Sequence, residues 1–182
     1  MAKYNVFEST NMGSTHYAER IFDAVASVDI ENGTFGYLDG IADGYDVVYN
    51  FVAGTKAGEE VVVADNPAWT EDNCRITNQR RDKYVIPAGT PFRVRVVKKN
   101  DEFATAIEGV TAATQEKMQK GAFVTIDATT GKLVASDTQV GETALMEGQV
   151  MRERMSGGTV ATPAHNYGYA TKLFEVKIVA LA

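Results

Sequence analysis

A chain of 182 residues is long enough to bury a hydrophobic core without staples, as one domain or two small ones. Its 24 acids against 18 lysines and arginines give a net charge of −6, which argues against nonspecific nucleic-acid binding, and the one cysteine excludes an intrachain disulfide framework. Sixteen glycines against four prolines, with many Thr, Val and Tyr, point to tight turns between short strands.

Residues 1–20 combine Tyr4, Val6 and Phe7 with a polar, aperiodic stretch from Glu8 to Thr15, and read as an arm. There is no apolar run of the kind that marks a secretory leader, and nowhere one long enough for a membrane helix. The expectation is a chain made in the cytosol that stays off membranes. Tyr17, Ile21, Phe22 and Val25 recur at helical spacing behind Ser14 or Thr15 as a cap, so a short helix is expected there. Val28–Leu38 reads as a hairpin turning at Glu31-Asn32-Gly33, with further turns at Asp39-Gly40 and Asp43-Gly44. Tyr45, Val47, Tyr49 and Phe51 alternate with their neighbours and are expected to share a buried face, and Glu59–Val63 makes another short strand.

The stretch 65–73 is a long loop carrying Trp69, which either closes the edge of the core or, exposed, contacts a partner. Cys74–Tyr84 concentrates Arg75, Arg80, Arg81 and Lys83, as a solvated loop partly neutralised by Asp82 or as a patch for an acidic partner. Phe92, Val94 and Val96 alternate with Arg93 and Arg95, so the apolar set is expected inside and the arginines outside. Residues 103–112 read as strand or irregular chain, followed by one helical turn over Thr114–Met118.

The clearest element is Lys120–Ala135, KGAFVTIDATTGKLVA: Val124 and Ile126 face one way, Phe123, Thr125 and Asp127 the other. Asp127 to Gly131 then supplies a turn before Leu133 starts back. Leu145–Met155 has helix-like methionines and charges, but Gly148 and Val150 favour a strand. A loop from Gly157 to Gly168 precedes a last strand, Lys172–Ala180, with Phe174, Val176 and Ile178 on one face. The fold class expected is mainly β: short-stranded antiparallel sandwich or barrel-like sheets with at most one or two short helices. The arm is 1–20 and the body 21–182, either undivided or split at about 21–115 and 116–182.

No catalytic constellation stands out. His16 and His165 lie in polar, turn-like contexts without a nucleophile-elbow signature, and with Cys74 they cannot make a metal site unaided. Gly33-Thr34-Phe35-Gly36 and Gly54-Thr55-Lys56 lack the strand-to-helix setting of a phosphate loop, and the carboxylate pairs have no diagnostic spacing. No metal and no cofactor is expected. Tyr167, Tyr169 and Trp69 leave a carbohydrate-binding module as a reading from another class.

Taken together, DIENGTF at Asp29–Phe35, IPAGTPFRVRVV within Tyr84–Val97, KGAFVTID at Lys120–Asp127 and the closing LFEVKIV resemble capsid decoration proteins, the β-rich auxiliary head proteins of tailed bacteriophages. The resemblance is a diffuse pattern over most of residues 28–180. It implies no enzymatic activity and attachment to the major capsid protein on the outside of the virion. It further implies homo-oligomers such as trimers, no direct contact with nucleic acid, and reinforcement of the shell. Another virion component, in the tail or at head completion, is the alternative. The residues expected to meet the partner are Tyr4, Val6 and Phe7 of the arm, with Trp69, Arg80 and Arg81.

Overall fold

The computed structural model describes residues 3–14, 20–67, 81–141, 144–156 and 171–182. It is mainly β, as the composition and periodicity imply. Five strands, β2 (Ile21–Val25), β3 (Phe35–Ile41), β4 (Val48–Ala53), β5 (Val62–Ala64) and β6 (Phe92–Val96), close a barrel in the order β2-β4-β3-β5-β6. Closure removes both exposed edges, so short strands suffice. The β2–β4 pair is parallel and the other contacts are antiparallel.

The other strands, β1 (Phe7–Asn11), β7 (Glu102–Ala106), β8 (Phe123–Ile126), β9 (Leu133–Ser136), β10 (Met146–Ser156) and β11 (Thr171–Leu181), form a six-stranded antiparallel sheet in the order β1-β7-β11-β10-β8-β9. The C-terminal strand thus lies inside the sheet. Short 3-10 helices cover Ile107–Gly109 and Ala112–Lys117, and the second supplies the helical turn expected over Thr114–Met118.

Two cores follow from strand alternation. Val62, Ala64, Phe92, Val94 and Val96 point into the barrel with Ile30, Phe51 and Ile86. Val61, Val63 and Phe35 leave the barrel on its other side and pack with Phe7, Phe103, Val124, Val176 and Ile178 of the sheet. The run Val61 to Ala64 is apolar throughout because both of its faces are buried. Phe103 sits between Phe7 and Phe35, each ring centroid 5.5 Å from its own.

Asn5 ties the two bodies together. Its side-chain amide donates to the Asn32 carbonyl at the barrel turn, and its oxygen accepts from the Thr105 hydroxyl and the Ala106 N–H of the sheet. A Cβ at Gly33 or at Gly109 would stand 2.5 Å from its amide nitrogen, so glycine is required on both sides of it. The β8–β9 turn forms a second tie, with the Phe35 N–H donating to the Gly131 carbonyl at 2.8 Å and the Thr55 N–H to that of Ala128.

Several expectations need correction. Residues 3–14 are not a free arm: β1 pairs with β7, and Val6, Phe7 and Met12 are buried. Of the short helix expected behind Ser14 or Thr15, residues 15–19, with Tyr17, lie outside the described residues, and Ile21–Val25 is a strand, with Ile21 and Phe22 paired to Arg95 and Val94 of β6. The Glu31-Asn32-Gly33 turn is present, but no hairpin surrounds it. Ile30 bridges to Ile86, and β3 pairs with β4 and β5. Arg95 does not face water: it is buried, with its Nε 2.5 Å from Asp65 Oδ2. The chain passes from the last barrel strand, ending at Val96, to the sheet strand starting at Glu102, and β1 belongs to the sheet.

The expected Lys120–Ala135 hairpin does form, with Phe123 opposite Ser136 and Ile126 opposite Leu133. Its Asp127 carboxylate accepts from the Thr130 hydroxyl and the Thr130 and Thr129 N–H groups, and the Thr130 hydroxyl above all holds its pKa below the ordinary carboxylate value. A lowered folded-state pKa contributes stability that is complete above the unfolded value, about 4, and lost as pH falls through the folded one. The melting temperature of Asp127→Asn is therefore expected to fall below that of the parent at about pH 7, with the gap narrowing as pH drops below the unfolded carboxylate value, read from melts from neutral into acid pH.

Candidate docking surface

Of the residues expected at a partner contact, Trp69 and Arg80 lie outside the described residues. Val6 and Phe7 are buried within the chain: Phe7 belongs to the core between sheet and barrel, and Val6 packs with Ala104, Ala106 and Leu173 on the opposite sheet face. Neither is free to meet another molecule. Tyr4 is half-buried, its N–H donating to the Asp82 carbonyl. Arg81 is partly exposed but already engaged, with its guanidinium 2.5 Å from Glu8 and donating to the Phe7 carbonyl. Asp82, expected to neutralise the basic stretch from solvent, is itself buried. His16, Cys74, His165, Tyr167 and Tyr169 also lie outside the described residues.

The structure draws attention instead to the connection between β3 and β4. The chain leaves β3 at Ile41, turns through Ala42–Val47 and re-enters the barrel at Val48, with the Ala42 N–H donating to the Val48 carbonyl at 2.8 Å. Ile41 is 54% exposed, Tyr45 40% and Val47 71%. Asp43 and Asp46 are exposed between them. Three large apolar side chains on one tip, with carboxylates beside them, have the composition of an interface centre with a polar rim.

The tip is rigidly mounted. Beneath it Val48 is buried, Ile41 pairs with Tyr49, and Tyr49 packs edge-on against Phe22 with ring centroids 5.6 Å apart. Alternation places Tyr45 and Val47 on a buried face with Tyr49 and Phe51, and the structure leaves both exposed. The strand begins only at Val48, so their alternation continues past the barrel rim into solvent. The Asp43-Gly44 turn and Asp46 were the signals that the strand had not yet begun.

Other exposed apolar groups are scattered. Met151 and Met155 lie four residues apart on β10, Val28 lies past the opposite end of β2, and Val140 lies in a loop. That loop is held by Glu147, a fully buried carboxylate that accepts from Gln139 Nε2 and the Val140 N–H. Among the described residues no group of three His, Cys, Asp or Glu side chains is placed to hold a metal ion, and no helix is long and apolar enough to cross a membrane. No protein-family model matches the chain, and comparison with curated proteins and with solved structures finds no significant similarity.

Proposed function

We propose that this chain is a non-enzymatic structural protein of a bacteriophage virion that docks on the outer surface of the assembled capsid and stabilises the shell. The observation that carries the reading is the apolar tip of Ile41, Tyr45 and Val47, exposed at the rim of a closed barrel. A preformed apolar group on a rigid support loses little entropy on docking. Asp43 and Asp46 beside it favour a partner surface with an apolar pocket rimmed by lysine or arginine, here the major capsid protein. The resemblance of the strand sequences to decoration proteins supports the same reading, and docking as trimers or other homo-oligomers would multiply a modest single contact by avidity.

The test is binding of the purified chain to mature capsids. Saturation at a stoichiometric copy number is expected, whereas a few copies at one vertex would instead make it a tail or head-completion component. The double substitution Ile41→Asp, Val47→Asp should weaken binding by about tenfold or more while leaving the melting temperature within a few degrees of the parent. Absence of binding to shells of its own phage would sink the proposal.

A further inference from the structure

A cavity of about 340 Å3 lies where the first strand meets the barrel, lined among others by Asn5, Asn32, Asp65, Arg81, Arg93 and Arg95. Three arginines face one carboxylate there, in a chain whose net charge is −6. Asp65 is already shared, accepting from Arg95 Nε at 2.5 Å and from the Ser9 hydroxyl at 3.0 Å. Glu8, which pairs with Arg81, is shared with Arg154. Among the described residues that line the cavity, guanidinium therefore outnumbers carboxylate.

Two of the arginines have donors to spare. Arg95 is buried and its Nη1 has no hydrogen-bond partner among the described residues. Arg93 gives its Nε to the Asp65 carbonyl at 3.1 Å and forms no ion pair with a described residue. A buried guanidinium nitrogen without an acceptor is costly, and such groups are normally matched by an anion or an ordered water. The planar fork of arginine fits two oxygens of one anion. The volume lies at the low end of small-molecule sites.

From the Arg95 donor that lacks a partner among the described residues, the Arg93 guanidinium that pairs with no described carboxylate and the cavity that both residues line, we infer that this chain binds a small oxyanion, phosphate or carboxylate, between its first strand and its barrel. The inference stands apart from capsid docking, since none of these residues belongs to the β3–β4 tip.

The experiment is calorimetric titration of the full chain with inorganic phosphate, and separately with acetate, in chloride buffer of constant ionic strength, with melting temperatures recorded in parallel. Saturable binding at one site and a melting temperature that rises with anion concentration are expected. A response to phosphate alone assigns a phosphate-bearing ligand, and a response to acetate as well admits the carboxylate of a metabolite or of a protein side chain. Arg93→Gln, which leaves the Arg95–Asp65 pair intact, should weaken binding about ten- to a hundredfold, the worth of one or two charged hydrogen bonds, without changing the melt in chloride by more than a few degrees. No saturable response to either anion would overturn the inference, leaving the Arg95 donor to a water molecule. Unchanged affinity in Arg93→Gln would overturn it equally.

Discussion

A chain lacking residues 1–13 is expected to be recovered unfolded or aggregated, not as a folded body that has lost one contact. The deletion removes the whole of β1, exposing the edge of β7 that it covers. It also takes out Phe7, 4% exposed, and Met12, 0% exposed, from the core between sheet and barrel. Truncating a buried phenylalanine to alanine alone costs about 3–5 kcal/mol. Loss of Asn5 together with the Val6 carbonyl strands the Ala106 N–H, and loss of Asn5 strands the Asn32 carbonyl, at about 1–3 kcal/mol for each buried group left unmatched. Together these losses rival the whole stability of a typical domain, about 5–15 kcal/mol. Circular dichroism and a thermal melt of the truncated chain check the deletion. Phe7→Ala, a gentler probe of the same contact, should lower the melting temperature by about 6–20 °C. A truncated chain that melts with the parent would restore residues 1–13 to the role of a free arm.

What the sequence made legible was whatever a local period could carry. Phe92, Val94 and Val96 inside the barrel, Phe174, Val176 and Ile178 in the core, and the Lys120–Ala135 hairpin all follow from alternation within one segment. The errors fall where pairing is non-local or where both faces are buried. Ile21, Phe22 and Val25 fit a helical stripe and a strand equally well, and only the distant β6 decides between them. Glu31-Asn32-Gly33 was readable as a turn, yet its flanks pair with Ile86, β4 and β5 and not with each other. Arg95 sits at a position that alternation assigns to solvent, but the first strand covers that side of the barrel and Asp65 supplies the counter-charge. Residues 5–14 looked like an arm because their role depends on polar matching. Asn5 is buried for its hydrogen bonds, and no hydrophobic pattern announces it. The exposed tip between β3 and β4 escapes the pattern for the opposite reason: its apolar residues continue a strand alternation beyond the strand.

Gly131→Ala is expected to be among the most damaging single substitutions in the chain, because the hairpin turn that carries it is wedged against the barrel. The backbone at Gly131 has φ +67°, and a Cβ added there would stand 2.0 Å from the Phe35 carbonyl oxygen, which belongs to backbone that cannot swing aside. The same strand edge meets the turn from the other direction, where a Cβ on Gly54 would come within 2.1 Å of the Ala128 carbonyl. Two glycines from different bodies therefore let main chain pack on main chain, and the Phe35 N–H to Gly131 carbonyl bond is made only at that distance. Relief of the overlap would pull the turn off the barrel and break this bond, along with that from the Thr55 N–H to Ala128. A loss of about 3–5 kcal/mol, at the upper end of single-residue effects, is expected from denaturant melts. Gly121→Ala is the control: its φ of +91° is also unfavourable for alanine, but nothing lies within 4 Å of the added Cβ. It should cost only the conformational term, about 1–2 kcal/mol. Equal losses in the two variants would show that backbone conformation alone sets the cost. A clear excess at Gly131 would show that the sheet and barrel are held together by close backbone contact as well as by the apolar core between them.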